Sequence, residues 1–209
     1  MSNKYLLFIS PHLDDVIFSI SEYIDKMIDN NYQIIIATVF TKSNSSLLKN
    51  LIGDYYMYGD YITRILEDKN AIKSVNKNII IKHLDFPEQM FRKTNNIIKP
   101  IFEKINNIIA NYNVEKTFFP LSIGNHKDHK IIYNVSLLYR KKINIYYYFD
   151  YPYCTINLNT KTYLSSLGNF EKIELVDLYQ FICHPIYKSC PILILLLKML
   201  CNIFIYLLQ

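Results

Sequence analysis

Most of this chain's chemical capacity lies in two short strings, Ser10-Pro11-His12-Leu13-Asp14-Asp15 and Gly124-Asn125-His126-Lys127-Asp128-His129. Together they hold three of its five histidines and three closely spaced aspartates, and each follows an apolar run of strand length. A catalytic divalent metal needs two or three fixed ligands and an open position, and histidine–carboxylate sets supply these while leaving net positive charge on the ion. His12 and Asp15, three apart on a tight loop, can converge on one ion. Asp14 then points elsewhere, because adjacent side chains diverge, and is available as a general base. A third ligand would come from His126 or His129, the other being placed to act on substrate. A single histidine at a strand end is ordinarily a satisfied polar residue, but two such strings at equivalent positions of one sheet argue for a shared site.

Positioning these strings is the task of the elements around them. Period-2 and short apolar runs predict strands over residues 5–10, 33–39, 79–84, 116–119 and 143–149, and helical spacing predicts helices at about 16–29, 61–75, 94–112 and 128–141. Alternation of this kind describes an α/β protein, a single Rossmann-like domain with a mainly parallel sheet flanked by helices. In open parallel sheets ligands bind beyond the carboxyl ends of the strands, where both strings fall. The stretch Thr41–Asp60 is polar, then aromatic, with no clear period, and reads as either a lid over the site or a plain surface loop.

Composition narrows the remaining options. With 209 residues and 51% hydrophobic content, the chain buries one full core, and residues 1–189 are expected to form one domain. The net charge of +5 is mild and no Lys/Arg stripe is present, which argues against a nucleic-acid partner. Cys154, Cys183, Cys190 and Cys201 lack CxxC spacing and read as free thiols of a reducing cytosol. The run Tyr5–Ile9 is too short for a signal sequence, so a cytoplasmic protein is expected. Residues 190–209 are expected to form an apolar C-terminal helix. Its Leu, Ile and Phe residues contribute about −6 kcal/mol toward membrane insertion, against about +3 for Lys198. Insertion is thus marginal, and the segment reads as a packing or self-association helix or one lying on a membrane surface.

The motifs resemble those of a known family, the PIG-L/LmbE-like zinc-dependent N-deacetylases that act on N-acetylglucosamine-type sugars. Pro11-His12-Leu13-Asp14-Asp15 matches the family's first motif and His126-Lys127-Asp128-His129 its second. Further matches are Arg64-x-x-Glu67 with Ala71, the run His83-Leu84-Asp85-Phe86-Pro87-Glu88, Phe119-Pro120, and the aromatic, acidic Tyr148-Phe149-Asp150-Tyr151-Pro152-Tyr153. The resemblance implies an LmbE-like fold and a Zn²⁺ ion held by His12, Asp15 and His129. It further implies Asp14 as base, His126 stabilising or protonating the reacting centre, and Asp128 orienting a neighbouring histidine. Arg64 stands at the position of a substrate-facing arginine, the alternative being an intrahelical pair with Glu67 or Asp68. The expected substrate is a small-molecule or lipid-linked amino sugar.

Two places depart from the family pattern. Val16 replaces the acid that often follows the Asp-Asp pair, and Ser19-Ile20-Ser21 stands where glycines are usual. Two rival readings remain: a catalytically drifted glycan-binding or membrane-associated module of the same fold, and a ferrous site built from His126, Asp128 and His184. The second leaves His12, Asp14 and Asp15 without a role.

Overall fold

Leu6, Leu7, Phe8 and Ile9 are all fully buried, which requires cover on both faces of the strand they form. That strand, β1 (Tyr5–Ser10), is the centre of a five-stranded parallel sheet with β2 (Gln33–Lys42), β3 (Ile80–Pro87), β4 (Val114–Pro120) and β5 (Ile145–Tyr148), in the order β3-β2-β1-β4-β5. The computed structural model describes residues 4–42, 60–92, 96–123, 126–139 and 143–151.

Alternate residues of the central strands face opposite layers. Leu6, Phe8, Ile34, Ile36 and Phe118 pack with Val16, Ile20 and Ile24 of α1 (Asp15–Asp29) and Ile72 of α2 (Tyr61–Val75). Leu7, Ile9, Ile35, Ala37 and Phe119 pack with Ile101, Ile105 and Ile108 of α3 (Ile98–Tyr112) and Ile131, Ile132 and Val135 of α4 (Lys127–Leu137). The chain therefore winds outward from β1 through β2 to β3, returns to the other side of β1, and continues through β4 to β5. Loops leaving adjacent strands at this reversal diverge to opposite faces and open a crevice at the carboxyl ends of β1 and β4. Asn113, left-handed at φ 50°, ends α3 and turns the chain directly into β4.

The predicted elements are all present, with altered ends. β2 and β3 run on to Lys42 and Pro87 through the pairs Phe40↔Phe86 and Lys42↔Pro87, across irregular register. Polar residues at this end masked the extension. Thr41, for example, is buried and its hydroxyl accepts the Asp85 N–H at 3.0 Å. A 3₁₀ turn at Gln89–Phe91 follows, which the sequence reading did not anticipate. The helix expected from residue 94 begins at Ile98, and the helix expected over 128–141 spans Lys127–Leu137. Residues 43–59 of the stretch read as a lid or a surface loop, His184, the four cysteines and the apolar tail lie outside the described residues. Among those described, no helix is long and apolar enough to cross a membrane.

The fully buried Phe118 ring stacks on Phe8 with centroids 4.4 Å apart. Phe118→Ala should lower stability by about 3–5 kcal/mol, seen as a lower denaturant midpoint with little change in slope.

Candidate metal centre

The first string leaves β1 as a tight loop fastened at several points. The Ser10 hydroxyl donates to the His12 carbonyl at 2.7 Å and accepts the Val16 N–H at 3.2 Å, which satisfies one donor of the α1 first turn. The Phe40 N–H donates to the Pro11 carbonyl at 2.9 Å and ties the loop to β2. Asp14, the residue before α1, is left-handed at φ 75° and ψ −18°, and its side chain makes no capping bond. The turn there separates the two aspartates. Asp15 Oδ2 accepts the His12 backbone N–H at 2.8 Å and lies 3.3 Å from His12 Nδ1 and 3.3 Å from His129 Nε2. The Asp14 carboxylate, half-buried, feels the charges of Asp68, Arg64, Asp15 and Glu67.

The second string opens α4. His126 is the capping residue, its Nδ1 accepting the Asp128 N–H at 3.3 Å. Asp128 and His129, in the first turn of α4, are fully buried. Asp128 Oδ2 lies 3.0 Å from His12 Nε2 and accepts the Gln89 N–H at 3.0 Å, while its Oδ1 forms an ion pair with Arg92 Nη2 at 2.6 Å. His129 Nδ1 meets Asp150 Oδ2 at 2.7 Å, and Asp150 Oδ1 accepts the backbone N–H groups of Ser122 at 2.9 Å and Ile123 at 3.4 Å. The His12 and His129 imidazoles thus each have a carboxylate behind the outer nitrogen and turn the other nitrogen inward, the arrangement that orients histidine ligands in metal sites.

The inward atoms form a compact donor set. His12 Nδ1 and His129 Nε2 are 3.3 Å apart, and each is 3.3 Å from Asp15 Oδ2. A four-coordinate ion with bonds of about 2.0–2.1 Å separates its ligand atoms by about 3.3–3.4 Å, so this triangle has the dimensions of one face of such a tetrahedron. His126 also contributes to the group, since its ring and those of His12 and His129 bring ligand nitrogens within 4.8 Å of one another. The Asp15 triangle is the tighter set and includes an anionic donor, which partly neutralises a divalent ion, and both sets are of types that hold zinc.

The electrostatics follow from dense burial of opposite charges. Burial alone would lower His12, but hydrogen bonds and charge from Asp128 and Asp15 raise it to about 10. Burial also works against protonated His129, while Asp15 and Asp150 raise it to about 9. Burial would raise Asp15, yet the hydrogen bonds and charges of His12 and His129 hold it well below the usual carboxylate range. Burial and the two neighbouring imidazoles lower His126. Asp14 is pushed up to about 6, first by burial and then by the like charge of Asp68. The carboxylates crowded around the inward nitrogens draw positive charge to the centre, whether carried by protons or by a metal ion.

The sequence-predicted His12, Asp14, Asp15, His126, Asp128 and His129 therefore meet in one crevice, and Asp128 contacts His12. Arg64 reaches from α2 to Glu88 Oε1 at 3.2 Å, with its guanidinium 4.9 Å from the Tyr61 ring centroid. Several participants were not assigned from sequence. Asp150 was visible only as part of an aromatic run, although its place just after a strand end was a usable signal. Arg92 and Gln89 offered no local pattern, while His83 stood in a matched run and Asp68 was weighed only as a partner of Arg64, neither with a role at the site.

Solved structures of similar fold include the A40926 pseudoaglycone deacetylase, at a TM-score of 0.63 and 23% identity over 75% of this chain and 67% of that one. A deacetylase–bog complex from teicoplanin biosynthesis gives 0.62 and 20% over 74% and 70%. The zinc-inhibited form of a teicoplanin deacetylase gives 0.62 and 19% over 74% and 71%. These likenesses establish the LmbE-like α/β fold. No curated protein sequence matches the chain. The family model for PIG-L, described as GlcNAc-PI de-N-acetylase, matches residues 7–139, more than half of the chain and a span holding both His/Asp strings; the chain belongs to the PIG-L family.

Proposed function

We propose that this protein is a zinc-dependent hydrolase that removes the N-acetyl group from an N-acetylglucosamine-type sugar or glycoconjugate. The observation that carries the reading is the donor triangle of His12 Nδ1, Asp15 Oδ2 and His129 Nε2, each pair 3.3 Å apart, with Asp14 next to it in sequence in a left-handed turn. In this reading those three residues hold the ion. When bound, zinc supplies an acidified water and a Lewis acid for the acetamide carbonyl.

The remaining steps belong to the chain's own groups. Asp14 accepts the proton of the attacking water at its carboxylate, whose burial and closeness to Asp68 raise its proton affinity above that of an ordinary carboxylate in the metal-free chain. His126 Nδ1 accepts a backbone N–H, so its neutral ring carries the proton on Nε2 and donates from there to the oxygen that gains charge. As the C–N bond breaks, protonated Asp14 returns its proton to the departing amine. Asp128 and Asp150 orient His12 and His129. Arg64, beside Glu88, binds a hydroxyl or acidic group of the substrate. The partner class is a small-molecule or lipid-linked amino sugar, and the apolar segment 190–209 would bring a lipid-linked substrate's membrane near.

Acetate release from a panel of N-acetylglucosaminides differing in aglycone, with and without chelator, tests the reading. Release abolished by chelator and restored by zinc is expected, whereas a zinc-loaded chain inert on the whole panel would overturn it. His12→Ala, Asp15→Ala and His129→Ala should each lower zinc content, measured by elemental analysis, from about one per chain; full retention in all three would remove the site as drawn. Asp14→Asn should keep the zinc and lose about 10²–10⁴-fold in turnover.

The pH dependence has a defined sign. With His12 raised to about 10 and His129 to about 9 from 6.5, protonated imidazoles stabilise the metal-free fold fully below pH 6.5, and the contribution fades as pH rises through 9–10. Zinc requires the neutral rings, so its binding tightens with rising pH. The stability gap between zinc-loaded and chelated protein should therefore widen from about pH 6.5 to about 9 in thermal scans; a gap that narrows would contradict the assigned ligands.

A further inference from the structure

We propose that Asp68, backed by His83, is a positioning residue that sets the candidate base Asp14 through its backbone; the inference rests on the reading of Asp14 as general base. Asp68 lies on α2 and His83 on β3, outside both His/Asp strings. The Asp68 side chain is 3% exposed, and its two oxygens have separate partners. Oδ1 accepts the Asp14 N–H at 3.1 Å, and Oδ2 meets His83 Nε2 at 2.9 Å. His83 stands in register with Thr38 on the neighbouring β2, so the far end of the link is anchored in the sheet.

The need for such a link follows from the backbone at Asp14. A non-glycine residue held at φ 75° is disfavoured, and Asp14 has no side-chain capping bond to α1 to compensate. The bond from its N–H to a buried carboxylate holds the peptide in the orientation that sends the Asp14 and Asp15 side chains to different places. Without that acceptor the peptide can rotate toward common backbone angles. The base then moves relative to the donor triangle, while His12, Asp15 and His129 keep their own contacts. A misplacement on the ångström scale costs turnover far more than substrate affinity.

The test compares the full-length zinc-loaded wild type with Asp68→Ala and Asp68→Asn by amide hydrogen exchange at Asp14, zinc content, and kinetics on an N-acetylglucosaminide the wild type hydrolyses. Asparagine keeps an acceptor for the Asp14 N–H and an amide for His83. The Asp14 amide should be protected in the wild type and exposed in Asp68→Ala, and kcat should fall about 10²-fold with KM within about threefold and zinc retained. Asp68→Asn should restore both protection and most of kcat. Rapid exchange at Asp14 in the wild type, a kcat for Asp68→Ala near wild type, or an Asn variant as impaired as the Ala variant would each overturn the proposal. If Asp68→Ala does not fold, the wild-type exchange and the Asn variant decide. A wild type that releases no acetate defeats the hydrolase reading instead, and the Asp14 exchange measurement still tests the contact.

Discussion

Asp15 is largely withdrawn from solvent between two imidazoles, and a carboxylate so placed is costly unless every charge near it is matched. That requirement organises the carboxyl end of the sheet. Asp15 draws His12 and His129 toward it, and their outer nitrogens then need partners, which Asp128 and Asp150 provide. Those carboxylates in turn take the Arg92 guanidinium and the Gln89 N–H, and the N–H groups of Ser122 and Ile123. The network reaches the loops after β1, β3, β4 and β5. Residues separated by more than a hundred positions meet only because β1 and β4 are neighbours at the point where the chain reverses direction across the sheet.

This layering explains what could be read in advance. The βα pattern, the central strands and both His/Asp strings were legible because each has a local signature: an apolar run, a helical period, or metal-binding side chains three apart. Supporting residues have no such signature. Asp68 on a polar helix looks like any solvated charge until the fold turns it onto the Asp14 N–H, and Arg92 looks like a surface base until it is seen beneath Asp128. Arg64 was weighed as an intrahelical partner of Glu67 or Asp68, and its pair with Glu88 spans two elements. The ends of β2 and β3 were misread because a buried threonine bonded to an exposed aspartate, Thr41 to Asp85, has the composition of a loop.

The two departures from the family pattern have local physical accounts. Val16 is fully buried against Phe8 and its neighbours beneath α1, so an apolar residue fits there and an acid would need its own partner. At Ser19-Ile20-Ser21 the helix is irregular, with Ile20 at φ −144°, and the Ser19 hydroxyl accepts the Tyr151 N–H at 3.1 Å. A side chain that bonds the segment after β5 stands where a missing side chain would have allowed close approach. Neither change alters a residue of the donor triangle or Asp14 itself.

The left-handed backbone at Asp14 also limits how this site can diverge in descendants. Only glycine adopts that conformation freely, with asparagine and aspartate next. Glutamate would keep the acid but fits the backbone poorly and lengthens the arm. Under the proposed roles, the substitutions the turn accepts most easily are therefore the ones that would abolish proton transfer while sparing the donor triangle. Inheritance at this position acts as an on–off choice with few graded steps. A lineage that abandons catalysis would be marked by asparagine or glycine there, above an intact His12, Asp15 and His129.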